Sequence, residues 1–155
     1  MPRTIESLTL ADAKRMIEAA ETTADALGIP YNVAIVDAGG HLVAFSRQDG
    51  ALIGSIDLAI NKAYTARIFD NPTSALATLA QPSAPLYGIQ HSNRGSVVIF
   101  GGGIPVWRDD VIIGAVGTSA GTVEQDVAVA EAAILAIDLD KQSGSSSGNL
   151  FQPEH

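Results

Sequence analysis

Two pairs of short apolar runs, each pair joined by a brief turn, constrain this chain more than any other feature. Residues 33–36 and 42–45 flank Asp37-Ala38-Gly39-Gly40, and residues 104–108 and 111–116 flank Asp109-Asp110. A parallel pairing needs a crossover of a dozen residues or more, so runs this close pair antiparallel, as hairpins. The first connection is longer than two residues, which predicts a bulged or type I-based turn. Residues 96–100, followed by Gly101-Gly102-Gly103, read as one more strand and bring the expected sheet to five.

Helices occupy most of the remaining sequence. Leu10, Ala13, Met16, Ile17, Ala20, Ala24 and Leu27 recur at steps of three and four, as one buried helical face requires, with Thr9 to cap the start and Gly28 and Pro30 to stop it. Residues 54–69 repeat the pattern through Ile56, Ala59, Ile60 and Ala63, with Ser55 as the expected cap. Asn71-Pro72 ends that helix, and a short one is expected from Thr73 or Ser74 to Ala80. Pro82 and Pro85 then force an irregular segment to about Asn93, and a last helix is expected over residues 123–139. The reading is α+β, a five-stranded antiparallel sheet flanked by helices. One domain is expected over residues 1–141, with residues 142–155 a flexible polar tail.

Composition narrows the chemistry. Aromatic residues are only 5% of a chain that is 46% hydrophobic, so its core is built from small aliphatic side chains. A formal charge of -8, from 17 acidic and 9 basic residues, repels phosphate backbones and anionic headgroups, which argues against nucleic-acid and membrane partners. The absence of cysteine removes disulfides, thiolate metal sites and thiol catalysis. The first ten residues have no signal-peptide pattern and no apolar run reaches a membrane span, so a cytoplasmic location is expected.

The segment from Ile113 to Asp126 leads a strand through Gly117-Thr118-Ser119-Ala120-Gly121-Thr122 straight into the last helix. Amide hydrogens gathered at a helix N-terminus form an anion site, here for a ligand carboxylate. The competing reading makes Thr122 a plain N-cap with Gln125 completing a capping box, and lets Glu124 and Asp126 complement the dipole. A second constellation is Arg47, Asp57 and Lys62. Asp57 and Lys62 are five apart and do not face each other on one helix. Lys62 lies between Ala59 and Ala66, so it is either a partly buried cation with a lowered pKa or a chain that snorkels to water. His41 and His91 have no second histidine or carboxylate at metal-ligand spacing; both read as solvated, with His91 the better single ligand for a haem iron. No metal site is expected. The segment from Ile113 to Asp126 is not a P-loop, since it lacks the Gly-Lys-Ser/Thr ending.

Five stretches together resemble the GlcG/HbpS family, which is related to the C-terminal domain of PduO-type proteins. They are Val36-Asp37-Ala38-Gly39-Gly40-His41-Leu42, Arg47-Gln48-Asp49-Gly50-Ala51, Ser55 through Ala63, Gly101-Gly102-Gly103-Ile104-Pro105, and Ile113 through Asp126. The resemblance implies a profilin-like layered domain that assembles as a homo-oligomer, from dimer to octamer. It also implies a small-molecule partner, a haem or another carboxylate-bearing ligand, in a pocket at the start of the last helix. Gly117, Thr118, Ser119, Gly121 and Thr122 would line that pocket, with Arg47, Asp57, Lys62 or His91 as further contacts. The alternative is a small catabolic enzyme acting on an organic acid of a glycolate or aromatic pathway, with Glu124 or Asp126 as acid or base and Lys62 orienting the substrate. Where the family commonly has Gly-Val-Ser-Gly-Gly, this chain has an alanine at position 120, which narrows the backbone freedom there.

Overall fold

The computed structural model describes residues 1–138. Its elements run α1 (Leu10–Leu27), β1 (Asn32–Asp37), β2 (Leu42–Arg47), α2 (Ser55–Phe69), α3 (Thr73–Leu79), β3 (Gly103–Arg108), β4 (Val111–Ser119) and α4 (Val123–Asp138). The strands form one antiparallel sheet in the order β2-β1-β4-β3. The expected tail and the last predicted helical residue, Leu139, lie outside the described residues.

Local signals account for the element ends. Thr9 and Asp12 form a reciprocal capping box at the start of α1, and Gly28 closes it in the left-handed region at φ 70°. Asp37 organises the first hairpin: its carboxylate accepts from the amides of Gly39 and His41, and the β1/β2 register shifts between Ile35 and Val36. Asp109, at φ 54°, turns β3 into β4. Pro105 is tolerated because β3 is an edge strand that pairs only with β4. Ser55 is the first residue of α2 and not its cap; Gly54 holds that place with no side-chain hydrogen bond.

The sheet has four strands where five were expected. Residues 96–100 are docked on α2 instead: Val97 and Val98 are buried, and the Val98 amide donates to the Thr65 hydroxyl at 3.0 Å. One side-chain acceptor replaces the strand ladder, and the three glycines that follow lead into β3 without making a hairpin.

Helices cover both faces. On one, α1 and α4 pack side by side and set Met16, Ala20, Val129 and Ala133 against Val33, Ile35, Ile104 and Val116. The other face carries α2, with Ala59, Ala63 and Ala66 against Ala34, Val36 and Ala115. Two glycines opposite each other in the β3/β4 ladder, Gly103 and Gly117, set the closeness of this layer. A Cβ on Gly117 would collide with the Ala59 carbonyl, and one on Gly103 with the Lys62 carbonyl. Because α2 lies directly on the backbone at this point, the Lys62 side chain can reach past the sheet to the start of α4.

Candidate functional site

Lys62 is fully buried, and its ammonium donates to the Thr118 carbonyl at 2.9 Å and to Asp126 Oδ2 at 2.8 Å. The Phe100 ring lies 4.9 Å from the same nitrogen. Asp126, only 4% exposed, receives three more donors on Oδ1: the Tyr31 hydroxyl at 2.9 Å, the Ala120 amide at 3.1 Å and the Gly121 amide at 2.9 Å. Thr118 completes the knot by donating its hydroxyl to the Asp126 carbonyl at 2.6 Å. Burial pushes the Lys62 pKa down, against the opposing pull of Asp126. It also pushes the Tyr31 pKa up, and there the neighbouring carboxylate acts in the same direction.

This geometry corrects the expected anion nest. Amides do gather ahead of α4, but the chain's own side chains occupy them. Asp126 takes those of Ala120 and Gly121. Thr122 and Gln125 pair reciprocally, the Thr122 amide on Gln125 Oε1 at 2.9 Å and the Gln125 amide on Thr122 Oγ1 at 3.2 Å. The plain capping-box reading therefore describes the start of α4. Ala120 is not among the residues with positive φ, so its methyl group costs the turn nothing. Gly117 lies beneath α2 and Ser119 is 4% exposed, so neither faces a guest.

The remaining expected site residues are dispersed. Arg47 ends β2, exposed, beside an open polar depression of about 620 Å³ that also takes in Glu21, Asp25 and Asp49. Asp57 and Glu124 are exposed in the first turns of α2 and α4. His91 is exposed in a short 3-10 turn (Ile89–His91), and His41 is exposed in the first hairpin. Among the described residues no three His, Cys, Asp or Glu side chains are grouped to hold a metal ion, and no helix is long and apolar enough to cross a membrane.

A cavity of about 500 Å³ opens between α3 and α4. Pro72, Ala75, Ile104, Val127, Ile134 and Leu135 wall it, and the backbone of Gly102 and Gly103 forms one side. That glycine backbone separates it from the ion pair, since a Cβ on Gly102 would stand 2.8 Å from the Lys62 ammonium and 3.1 Å from the Asp126 Cβ. The sequence reading did not single out Glu131, Leu135 or Ala75. Residues 127, 131, 134, 135 and 138 form the stripe of α4 that faces the cavity. Tyr31 and Phe100 were also missed. Tyr31 directly precedes β1, and its hydroxyl meets a carboxylate 95 positions away.

A four-stranded antiparallel sheet with α2 on one face and the α1/α4 pair on the other places the chain in the class of layered α+β domains. Within that class the chain belongs to the HbpS-like family: the family model for the haem degrading protein HbpS-like matches residues 8–135. An uncharacterised 15.0 kDa protein from the dhaT-dhaS intergenic region of Citrobacter freundii is 45% identical over 130 residues, which cover 84% of this chain and 92% of that one. The corrinoid adenosyltransferase PduO of Salmonella typhimurium is 41% identical over 133 residues, 86% of this chain, but the match spans only 40% of PduO. The solved structure of a PduOC:haem complex has a TM-score of 0.82 and 42% identity, covering 85% of this chain and 96% of that one.

Proposed function

We propose that this chain is a small-molecule-binding member of the HbpS-like family whose ligand sits in the cavity between α3 and α4. The observation that carries the reading is the cavity itself, about 500 Å³, which falls within the usual range for small-molecule sites and has mostly apolar walls. The haem complex of the PduOC relative supports ligand binding as the family's business. The Lys62–Asp126 pair is then a structural clamp on the cavity's glycine side. The acid–base residues expected from the sequence are not arranged for catalysis: Lys62 and Asp126 are sealed and mutually satisfied, and Glu124 is exposed at the start of α4.

The residues of this cavity do not fit an iron-ligated haem. Among the described residues no histidine, methionine or tyrosine lines it, and none supplies a cation there to meet propionates. Among the described residues, haem binding would therefore draw on His41 or His91, both exposed elsewhere, or on a second copy. Assembly as a homo-oligomer belongs to the same proposal, and a single-chain mass by light scattering would overturn that part.

Titration with a neutral aromatic alcohol and, separately, with haemin, followed by amide chemical shifts, tests the site. The reading expects the alcohol to move resonances at Gly102, Gly103 and Leu135, and Ala75→Trp to abolish the effect. Haemin shifts centred on His41 or His91, with no response of the cavity to the alcohol, would relocate the ligand site and overturn the proposal.

A further inference from the structure

The charge on the cavity wall states what kind of ligand it takes. Two carboxylates, Glu131 and Asp138, line the space, and among the described residues no lysine, arginine or histidine does. They lie on the stripe of α4 that also presents Ile134 and Leu135, and among the described residues neither makes an ion pair or a hydrogen bond. Asp138 is in the last turn of α4, which contains no basic residue, so the negative end of the helix dipole adds to its charge. The opposite wall is no compensation: α3 carries no charged side chain, and the one cation behind the glycines, Lys62, is already neutralised by Asp126. A carboxylate-bearing guest would enter a field of its own sign, and a neutral guest would gain nothing from it.

We propose that the cavity between α3 and α4 selects organic cations, amines with an apolar body, over carboxylates of the same size. The apolar body packs on Ile104, Ile134 and Leu135 and the ammonium turns to Glu131 or Asp138. This rests on the cavity reading above, and it reverses the ligand charge that the sequence suggested, because the amides meant for a carboxylate are filled by Asp126.

The test uses three matched probes, 4-phenylbutylamine, 4-phenylbutanol and 4-phenylbutyrate, titrated calorimetrically into the full chain at neutral pH. The amine is expected to bind tightest, by up to about fivefold over the alcohol, the upper value of a partly exposed charge pair. The carboxylate is expected to bind weakest, and added salt should compress the series. Glu131→Gln, a change at an exposed side chain, should bring the amine towards the alcohol without weakening the alcohol. Equal or tighter binding of the carboxylate overturns the charge rule and leaves the cavity reading standing. If none of the three binds, or if binding survives Leu135→Trp and Ala75→Trp together, the cavity is not the site and both readings fall.

Discussion

Replacing Asp126 by asparagine keeps the shape of the buried knot and removes one charge. At 2.8 Å, with an effective dielectric of about 20, the attraction between Lys62 and Asp126 is about 6 kcal/mol, which offsets several kcal/mol of desolvation for each ion. Without the carboxylate that desolvation is uncompensated, and the new amide nitrogen faces an ammonium, donor against donor. Breaking such a pair costs about 3–5 kcal/mol, a large part of the 5–15 kcal/mol that ordinarily holds a domain together. Urea unfolding monitored by circular dichroism should show the midpoint fall with the slope unchanged. Adding Lys62→Met should recover about 2 kcal/mol or more, because the stranded charge goes with it. The pH dependence carries the same signature. Burial already holds the Lys62 pKa below its usual 10.5, and losing Asp126 removes the contribution that raised it. Above its folded pKa the variant's Lys62 is neutral while the unfolded chain stays protonated up to 10.5, so the unfolded state binds more protons and stability rises with pH. The deficit of Asp126→Asn should therefore narrow between neutral pH and about 10. A deficit below about 1 kcal/mol, or a double variant no better than the single, would refute the clamp.

Three further outcomes are expected. Tyr31→Phe removes a hydrogen bond to a charged acceptor and should cost about 1.5–3 kcal/mol at neutral pH. Because the folded Tyr31 pKa is raised, the difference between parent and variant should be constant below the ordinary value of 10.0 and shrink above it, where only the unfolded tyrosine ionises; a pH titration of the unfolding midpoints reads this directly. Gly117→Ala should lower the melting temperature markedly, by an overpacking cost of about 1–3 kcal/mol or more, since its methyl meets the Ala59 carbonyl and the Ala63 amide. Thr9→Ala should cost only about 1 kcal/mol in the same assay, the value of a lost N-cap at an exposed helix end.

Much of the architecture was legible because its determinants are local. The cap at Thr9, the stop at Gly28, the carboxylate that shapes the Asp37 turn and the pairing of Thr122 with Gln125 all act within five residues. Residues 96–100 show where such reasoning stops. An apolar run before a glycine cluster suits a strand, but this run pairs with neither free edge of the sheet, and α2 offers its Thr65 hydroxyl to the Val98 amide instead. Candidate site residues failed for a related reason. Lys62 and Asp126 were each recognisable as unusual, yet nothing near either residue announces that they meet.

By itself the sequence determined the helices, the two hairpins and the antiparallel class of the sheet, since periodicity, caps and turns are written in neighbouring residues. Only the tertiary structure decided that Lys62 reaches Asp126 across 64 positions, that this carboxylate fills the amides in front of α4, and that an acidic, apolar-walled cavity opens behind Gly102. The physical reason is distance along the chain: a buried charge finds its partner through the packing of α2 on the glycine backbone of β3 and β4, and no local pattern encodes that approach.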